Sequence, residues 1–451
     1  MRTIVWFRGK DLRVADHAPL HDAIAGGEVI PLFVLDPYFF APARARELPH
    51  RIQFLLESLS ELAEAIAARG SKLVVVRGKS TEVVPRLAKT WRADRVVAHR
   101  WVEPIGRERD RRVAEALAIP FELYEGETLV PPGTLRTKSG TPYRVFSQFA
   151  HAHARADHGH PPLPAPRTLP ALPVRAATVA IPTIDELGIA RNPRLVEAGE
   201  RAAHRRLAAF RRIAAKYPTG RDRMDLPLTS RLSQDLKFGT LTARQVWHAI
   251  DGAVYRNELV WREFAHSTLW DVPALLDEPF QARWNGFPWR TDADADWRAW
   301  TEGRTGYPVV DAAARQLLAE GFVHNRARMI AASFLAKHLL VDFRRGEAHY
   351  LRYLTDGDWA QNDMGWQWSA GCGCDAQPYF RVFNPMLQGE KLDPDGAYVK
   401  RWVPELAAVP ARFVHAPWTA PVPPAGYPAP IVDHAAARER FLSIAKAHLK
   451  R

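Results

Sequence analysis

Two kinds of patterning follow one another along this chain, and their order is what most restricts its fold. Short β-branched runs recur at Thr3 to Phe7, Val29 to Leu35, Lys72 to Val76, Arg95 to His99 and Pro120 to Tyr124, with helical patterns in the intervals. In the clearest interval Ile52, Leu55, Leu56, Leu59, Leu62 and Ile66 return to one face at helical spacing. Strands alternating with such helices predict an α/β, doubly wound, mostly parallel sheet covered on both faces, Rossmann-like, over residues 1–130. No G-x-G-x-x-G follows the first strand, which removes the main support for a dinucleotide dehydrogenase.

The pattern then changes twice. Between Arg155 and Leu187 prolines accumulate at Pro161, Pro162, Pro164, Pro166, Pro170 and Pro173, a density that forbids helix interiors and central strands. Residues 131–194 are therefore expected to form a linker crossing a surface. Beyond it the periodic stretches read helical, at Arg201 to Lys216, Thr242 to Ile250, Val309 to Glu320 and Arg326 to Leu340, so 195–451 is predicted to be all-α.

Composition narrows the partners. Lys and Arg number 62 against 50 Asp and Glu, a formal charge of +12, which suits a polyanion or simply a basic solvated surface. The only cysteines, Cys372 and Cys374, lack further Cys or His ligands at zinc spacing, so no metal is expected. The first residues show no signal-peptide pattern and no apolar run reaches membrane-spanning length, so a reducing cytoplasm and no membrane are expected. Fifteen Trp is an unusual number and invites a stacking or electronic role beside core packing.

Four clusters in the helical half interleave aromatics, Arg, Asn and carboxylates instead of a plain apolar stripe. They are Asn257 to Phe264, Gly306-Tyr307-Pro308 with Asp311, His324 to Met329, and Asp356 through Trp368. Read as chemistry, such clusters suit base stacking and phosphate contact; read as packing, they suit a bundle with buried Trp and paired Arg and Asp.

At these residues the chain resembles the photolyase and cryptochrome superfamily, and within it the class I-type cyclobutane pyrimidine dimer photolyases. The likeness runs from Val5-Trp6-Phe7-Arg8 and Asp11-Leu12-Arg13 to Phe383-Asn384-Pro385 and Trp402-Val403-Pro404-Glu405-Leu406. It implies an N-terminal antenna domain, a long linker and a C-terminal helical domain that binds FAD. By the same resemblance Tyr217 and Thr229-Ser230-Arg231-Leu232-Ser233 hold the FAD phosphates and ribitol, hydroxyls and backbone N–H groups being suited to a pyrophosphate, while Ser230 also fits a helix cap. Asp356, Gly357 and Asp358 match the turn against the flavin, with Arg328 placed to pair with Asp356, and Asn362 matches the residue facing flavin N5.

For the substrate, the resemblance implies an ultraviolet-damaged DNA, duplex or single-stranded, whose dimer is flipped into a pocket, and no obligate protein partner. Trp261 and Trp368 match the rings that pack on the dimer, Glu258 the carboxyl at its carbonyl edge, and Asn325 and Met329 the neighbouring contacts. Arg221, Arg262, Arg326 and Gln388 match positions at the DNA backbone or lesion. Enzymes of the other ultraviolet lesion resemble this motif with His at the place of Met329, and Met has no proton to donate. The alternative is a cryptochrome-type light sensor without repair, a class that often carries a long C-terminal extension, whereas here the chain stops soon after Ala435 to Lys450.

The chain departs from the pattern at three points. Of the three tryptophans that relay electrons to oxidised flavin, two match as Trp366 and Trp289, but the middle place is Phe343, with Trp359 a candidate substitute. The first motif carries an additional residue in Gly9-Lys10. The stretches Leu35-Asp36-Pro37, Glu103-Pro104 and Gly106-Arg107 resemble members with a deazaflavin or flavin mononucleotide antenna, while the Asn-Glu pair of folate binders is missing.

Overall fold

The computed structural model describes residues 1–450. Five parallel strands, β1 (Arg2–Phe7), β2 (Glu28–Leu35), β3 (Val74–Arg77), β4 (Arg95–His99) and β5 (Phe121–Tyr124), stand in the order β3-β2-β1-β4-β5. Parallel neighbours need crossovers, and the helices Ala18–Gly26, Pro49–Ala67, Ser80–Thr90 and Pro104–Ala116 supply them. Along β1, Ile4 and Trp6 face one apolar layer with Leu32, Val74 and Val96, while Val5 and Phe7 face the other with Phe33, Val75 and Val97. The chain leaves β1 for β2 and β3 and returns to β4 on the other side, so the crevice beyond the carboxyl ends of β1 and β4 is the switch point where such sheets take ligands.

The proline-dense stretch is packed down. Leu169 and Leu187 join the layer of Val5 and Phe33, and Leu169 N donates to Arg69 O at 2.8 Å. Val179 N donates to Val75 O at 2.9 Å and Val75 N to Thr178 Oγ1 at 3.0 Å. Proline cannot extend the sheet, but the residues beside it cover the open edge of β3.

Two compact units result, one of Met1–Ala215 with Ser230–Pro273, the other of Lys216–Thr229 with Ala274–Arg451. The boundaries read from the sequence, 1–130, 131–194 and 195–451, follow the change of periodicity; the units follow anchoring. Glu200 takes Val14 N at 2.8 Å and Ala15 N at 2.9 Å, and Thr242 Oγ1 donates to Asp16 Oδ2 at 2.6 Å. Gly239, at φ +63, lets the backbones meet: a Cβ there would lie 1.9 Å from Lys10 O. These bonds tie the helix Glu200–Ile213 and the segment around residue 240 to the sheet.

In the second unit the helices Asp294–Glu302, Pro308–Glu320, Asn325–Ser333, Phe343–Tyr353, Trp359–Ala370, Pro385–Leu392 and His434–Leu449 surround a core that includes Trp300, Tyr307, Leu317, Phe334, Leu335 and Phe441. The run expected over Arg326 to Leu340 is α-helical only to Ser333, and Phe334–His338 forms one wider π turn. Among the described residues no helix is long and apolar enough to cross a membrane.

Candidate active site

Glu258, Trp261 and Arg262 lie at i, i+3 and i+4 of the Ala253–Asp271 helix, so they share one part-exposed face, while Leu259, Glu263 and Phe264 are buried. The helix is held from behind. Glu263, 1% exposed, accepts from Leu129 N, from Val130 N at 3.1 Å, and meets His153 Nε2 at 2.8 Å. Trp261 stacks flat on Phe146, ring centroids 3.5 Å apart at 6°, and Phe264 stands edge-on to both at 5.9 Å. Arg262 donates to Glu127 O at 2.6 Å and to Leu236 O at 3.4 Å. Glu263 lies in the cluster Asn257 to Phe264 but reads there as a mid-helix acid without a role, and Phe146 reads as an apolar residue of the linker.

The residues expected at the FAD phosphates divide between the units. Tyr217, buried at the start of the Tyr217–Gly220 turn, lies under the Arg221 guanidinium at 5.7 Å, with Thr229 at the end of the same segment. In the other unit Arg231 takes a left-handed φ of +53, a strained choice for a residue with a Cβ. Ser230 Oγ accepts from Leu232 N at 3.4 Å, and Leu232 precedes the Ser233–Phe238 helix, whose start has no side-chain cap.

Among the residues expected against the flavin, Arg328 Nη2 donates to Asp356 Oδ2 at 2.8 Å, the pair expected from the sequence. Among the described residues Asp356 Oδ1 has no hydrogen-bond partner although it is buried, and neither has the Tyr350 hydroxyl. Asp358 caps the Trp359–Ala370 helix, accepting from Gln361 N at 3.1 Å; Gly357 between the two carboxylates is buried. Asn362 spends one N–H of Nδ2 on Glu347 O at 3.1 Å, which turns the amide so that Oδ1 is its unused end.

Beside Asn362 sits a buried acid pair. Burial, and then the Asp363 charge, push Glu347 well up, and burial pushes Asp363 up to about 8 against the hydrogen bond from Gln367. The folded chain thus keeps a proton that the unfolded chain loses near 3.8, so the stability due to this group is whole below that value and is lost as pH rises to about 8. The melting temperature should accordingly fall across this window, and Asp363→Asn should flatten the fall. An unaltered slope in that variant would place the titration elsewhere.

Asn325 and Met329 occupy successive turns of the Asn325–Ser333 helix, Nδ2 to Sδ 3.7 Å, with Asn325 exposed. His324 caps that helix through Nδ1, accepting from Arg326 N at 3.2 Å; burial and the Arg328 charge push it down to about 4, so the ring is neutral and able to accept. Arg326 pairs with Asp222 at 2.8 Å. Trp368 and Gln388 are part-exposed, on the Trp359–Ala370 and Pro385–Leu392 helices.

Trp366 is buried at 6.0 Å from Trp300 and 5.2 Å from Tyr350, and lies so close to Gly346 that a Cβ there would sit 2.2 Å from its ring. Phe343, one turn before Gly346, meets Trp289 at 6.2 Å. Trp359 makes no ring contact with another aromatic among the described residues. A second file, unseen in the sequence, runs from Trp300 to Trp297 at 5.5 Å and 23°.

At the end of the sheet, the additional Lys10 is buried in ion pairs with Glu103 at 2.5 Å and with Glu127. Asp36 caps its own turn, accepting from Tyr38 N, and takes Ser80 N and Oγ at 2.7 Å. Arg107 lies over Trp270 at 4.0 Å, and Gly106 packs against Trp101.

A family model described as DNA photolyase matches residues 3–167, and one described as the FAD binding domain of DNA photolyase matches 255–447. The deoxyribodipyrimidine photo-lyase of Agrobacterium fabrum is 39% identical, over 98% of this chain and 96% of that one. That of Thermus thermophilus is 41% identical over 98% of each. A structure described as a bacterial class III photolyase from Agrobacterium tumefaciens superposes with TM-score 0.92 at 37% identity, over 100% of this chain and 98% of that chain. A cryptochrome from Synechocystis superposes with TM-score 0.90 at 29% identity, over 98% and 99%.

Proposed function

The chain belongs to the DNA photolyase family, and from that premise we propose that it is a deoxyribodipyrimidine photo-lyase, splitting cyclobutane pyrimidine dimers in DNA under light. The observation that carries this is the end-to-end likeness to proteins of that name. Residues 1–130 serve as the antenna domain, 131–194 as the connection, and 195–451 take FAD and the lesion. The protein works in the cytoplasm on duplex or single-stranded damaged DNA and needs no obligate protein partner.

The helical domain is an FAD-binding domain, and its polar groups suit the cofactor. Asp356 Oδ1, buried and without a partner among the described residues, seeks a donor such as a ring N–H, and Arg231, at a left-handed φ, precedes a helix start without a side-chain cap. Tyr217, Thr229, Ser230, Arg231, Leu232 and Ser233 bind the phosphates and ribitol; Arg328, Asp356, Gly357, Asp358 and Asn362 bind the ring. The chemistry supplied by bound FAD is one-electron donation from its light-excited reduced form and recovery of that electron, with no net redox change. Asn362, held by Glu347 O, presents Oδ1 as an acceptor, the end that suits a protonated N5. Beyond the carboxyl ends of β1 and β4, buried Arg8 Nη2 and Trp101 Nε1 lack partners among the described residues, donors for an antenna of the deazaflavin or flavin mononucleotide kind.

Trp261 and Trp368 pack on the flipped dimer, Glu258 meets its polar edge, and Asn325 and Met329 line the neighbouring wall. Met329 has no proton to transfer, which fits bond splitting by electron transfer alone. Arg221, Arg262, Arg326 and Gln388 position the strand. Arg262 and Arg326 also donate to Glu127 O and Asp222, bonds that hold the two guanidinium groups in place.

The test is to illuminate the chemically reduced protein with dimer-containing DNA and follow recovery of thymine absorbance; unchanged dimer content would discard repair. It also separates the light-sensor reading suggested by the cryptochrome neighbour, which predicts no product. Glu258→Ala should lower repair roughly 10- to 100-fold, the worth of a hydrogen bond to a charged group, with FAD content unchanged. Loss of flavin in that variant would contradict its assignment to the lesion.

A further inference from the structure

We propose that Phe146 is a positioning residue for Trp261, holding the indole flat so that its free face is ready for the lesion; this rests on the reading that Trp261 packs on the dimer. The two rings are stacked almost parallel, 3.5 Å between centroids at 6°. A full face-to-face sandwich is not what an unconstrained aromatic pair adopts, so the surroundings impose it. They do so at two points. Phe264, 1% exposed, stands edge-on to Phe146 at 62° and to Trp261 at 67°, and is itself packed by Phe149 at 5.2 Å. One turn beyond Phe149, His153 of the same Phe146–His153 helix is tied to Glu263 at 2.8 Å, on the helix that carries Trp261.

The consequence is a platform with one usable side. Phe146 covers one face of the indole, and no other aromatic ring among the described residues lies on the opposite face. The separation matches the spacing of about 3.4 Å between stacked bases, so a flipped pyrimidine set on the free face would extend the stack as its third layer. Ordering the Trp261 side chain before the lesion arrives removes that entropic cost from binding. Phe146 touches no reacting atom; it acts through Trp261.

The experiment is a double-mutant cycle on the FAD-loaded full chain with Phe146→Leu, Trp261→Ala and the pair. The affinity for a single-stranded oligonucleotide with one thymine dimer, and for the same strand undamaged, is measured alongside FAD content. Phe146→Leu should weaken dimer binding about threefold to tenfold, the worth of an aromatic pair, leave undamaged binding unchanged, and add nothing in the Trp261→Ala background. Phe146→Tyr, which keeps a flat ring, should bind as the original does. If Phe146→Leu fails to fold, Phe146→Met fills the volume without the ring and carries the same expectations. Equal losses in both backgrounds, or equal losses for damaged and undamaged DNA, would overturn the positioning role while leaving the lesion contact of Trp261 intact. Should Trp261→Ala leave the preference for dimer DNA unaltered, the underlying reading falls and this proposal with it.

Discussion

Phe343→Trp should speed the light-driven reduction of oxidised FAD by at least about tenfold, equivalent to about 1.4 kcal/mol off the barrier, while leaving dimer splitting by chemically reduced protein nearly unchanged. Phe343 is 1% exposed, meets Trp289 at 6.2 Å, and lies one turn from the Gly346 surface on which Trp366 rests. It therefore sits where an electron passing between the two tryptophans would stop, and a phenyl ring is far harder to oxidise than an indole. Repair starts from flavin already reduced and does not use this route, so the two activities should separate. The larger ring must fit a buried place at a cost of about 1–3 kcal/mol, so FAD content and the melting temperature have to be compared with the original. Two controls identify rivals. Trp359→Phe should be silent, because Trp359 lacks a ring contact with the relay. Trp300→Phe tests the file from Trp366 to Trp297, where the Arg345 guanidinium lies 4.6 Å over the Trp297 ring and opposes a positive hole there. If Trp300→Phe abolishes photoreduction and Phe343→Trp adds nothing, electrons travel through that file and the gap at Phe343 is bridged.

What could be read before the structure was what repeats locally. The strands announce themselves because β-branched runs are short and bounded, and the helix expected from Ile52 to Ile66 is found as Pro49–Ala67. The resemblance named Glu258, Trp261 and Arg262, which share one face of the Ala253–Asp271 helix, and the Arg328–Asp356 pair lies where it was expected. What could not be read depends on partners distant in the chain. Glu263 meets Leu129 across more than a hundred residues, and nothing around it in sequence marks it as a backbone acceptor. Phe146 belongs to a stretch read as linker, because proline density advertises only the absence of regular structure, not what the residues between prolines cover. The end of the Asn325–Ser333 helix was missed for a related reason: apolar spacing continues through the π turn, so periodicity alone carries the helix too far.

Glu263→Ala should destabilise the first unit by about 3–5 kcal/mol, the cost of removing one member of a buried charged network. The carboxylate is 1% exposed and accepts from two consecutive backbone amides, Leu129 N and Val130 N, while facing His153. Alanine would leave those donors buried without acceptors, each at about 1–3 kcal/mol, and would add a cavity. For a unit of this size the unfolding transition should move down by roughly 10 °C. Glu263→Gln retains one acceptor oxygen and the side-chain volume, so it should lose less than half as much. Because the same carboxylate docks the connection against the helix that carries Glu258, Trp261 and Arg262, the glutamine variant should also weaken dimer binding before it lowers FAD content. The measurement is thermal unfolding followed by circular dichroism beside dimer affinity and flavin absorbance. A Glu263→Ala protein that melts with the original would mean that water or a shifted backbone satisfies residues 129 and 130, and that the carboxylate is not what fixes the helix that carries Trp261.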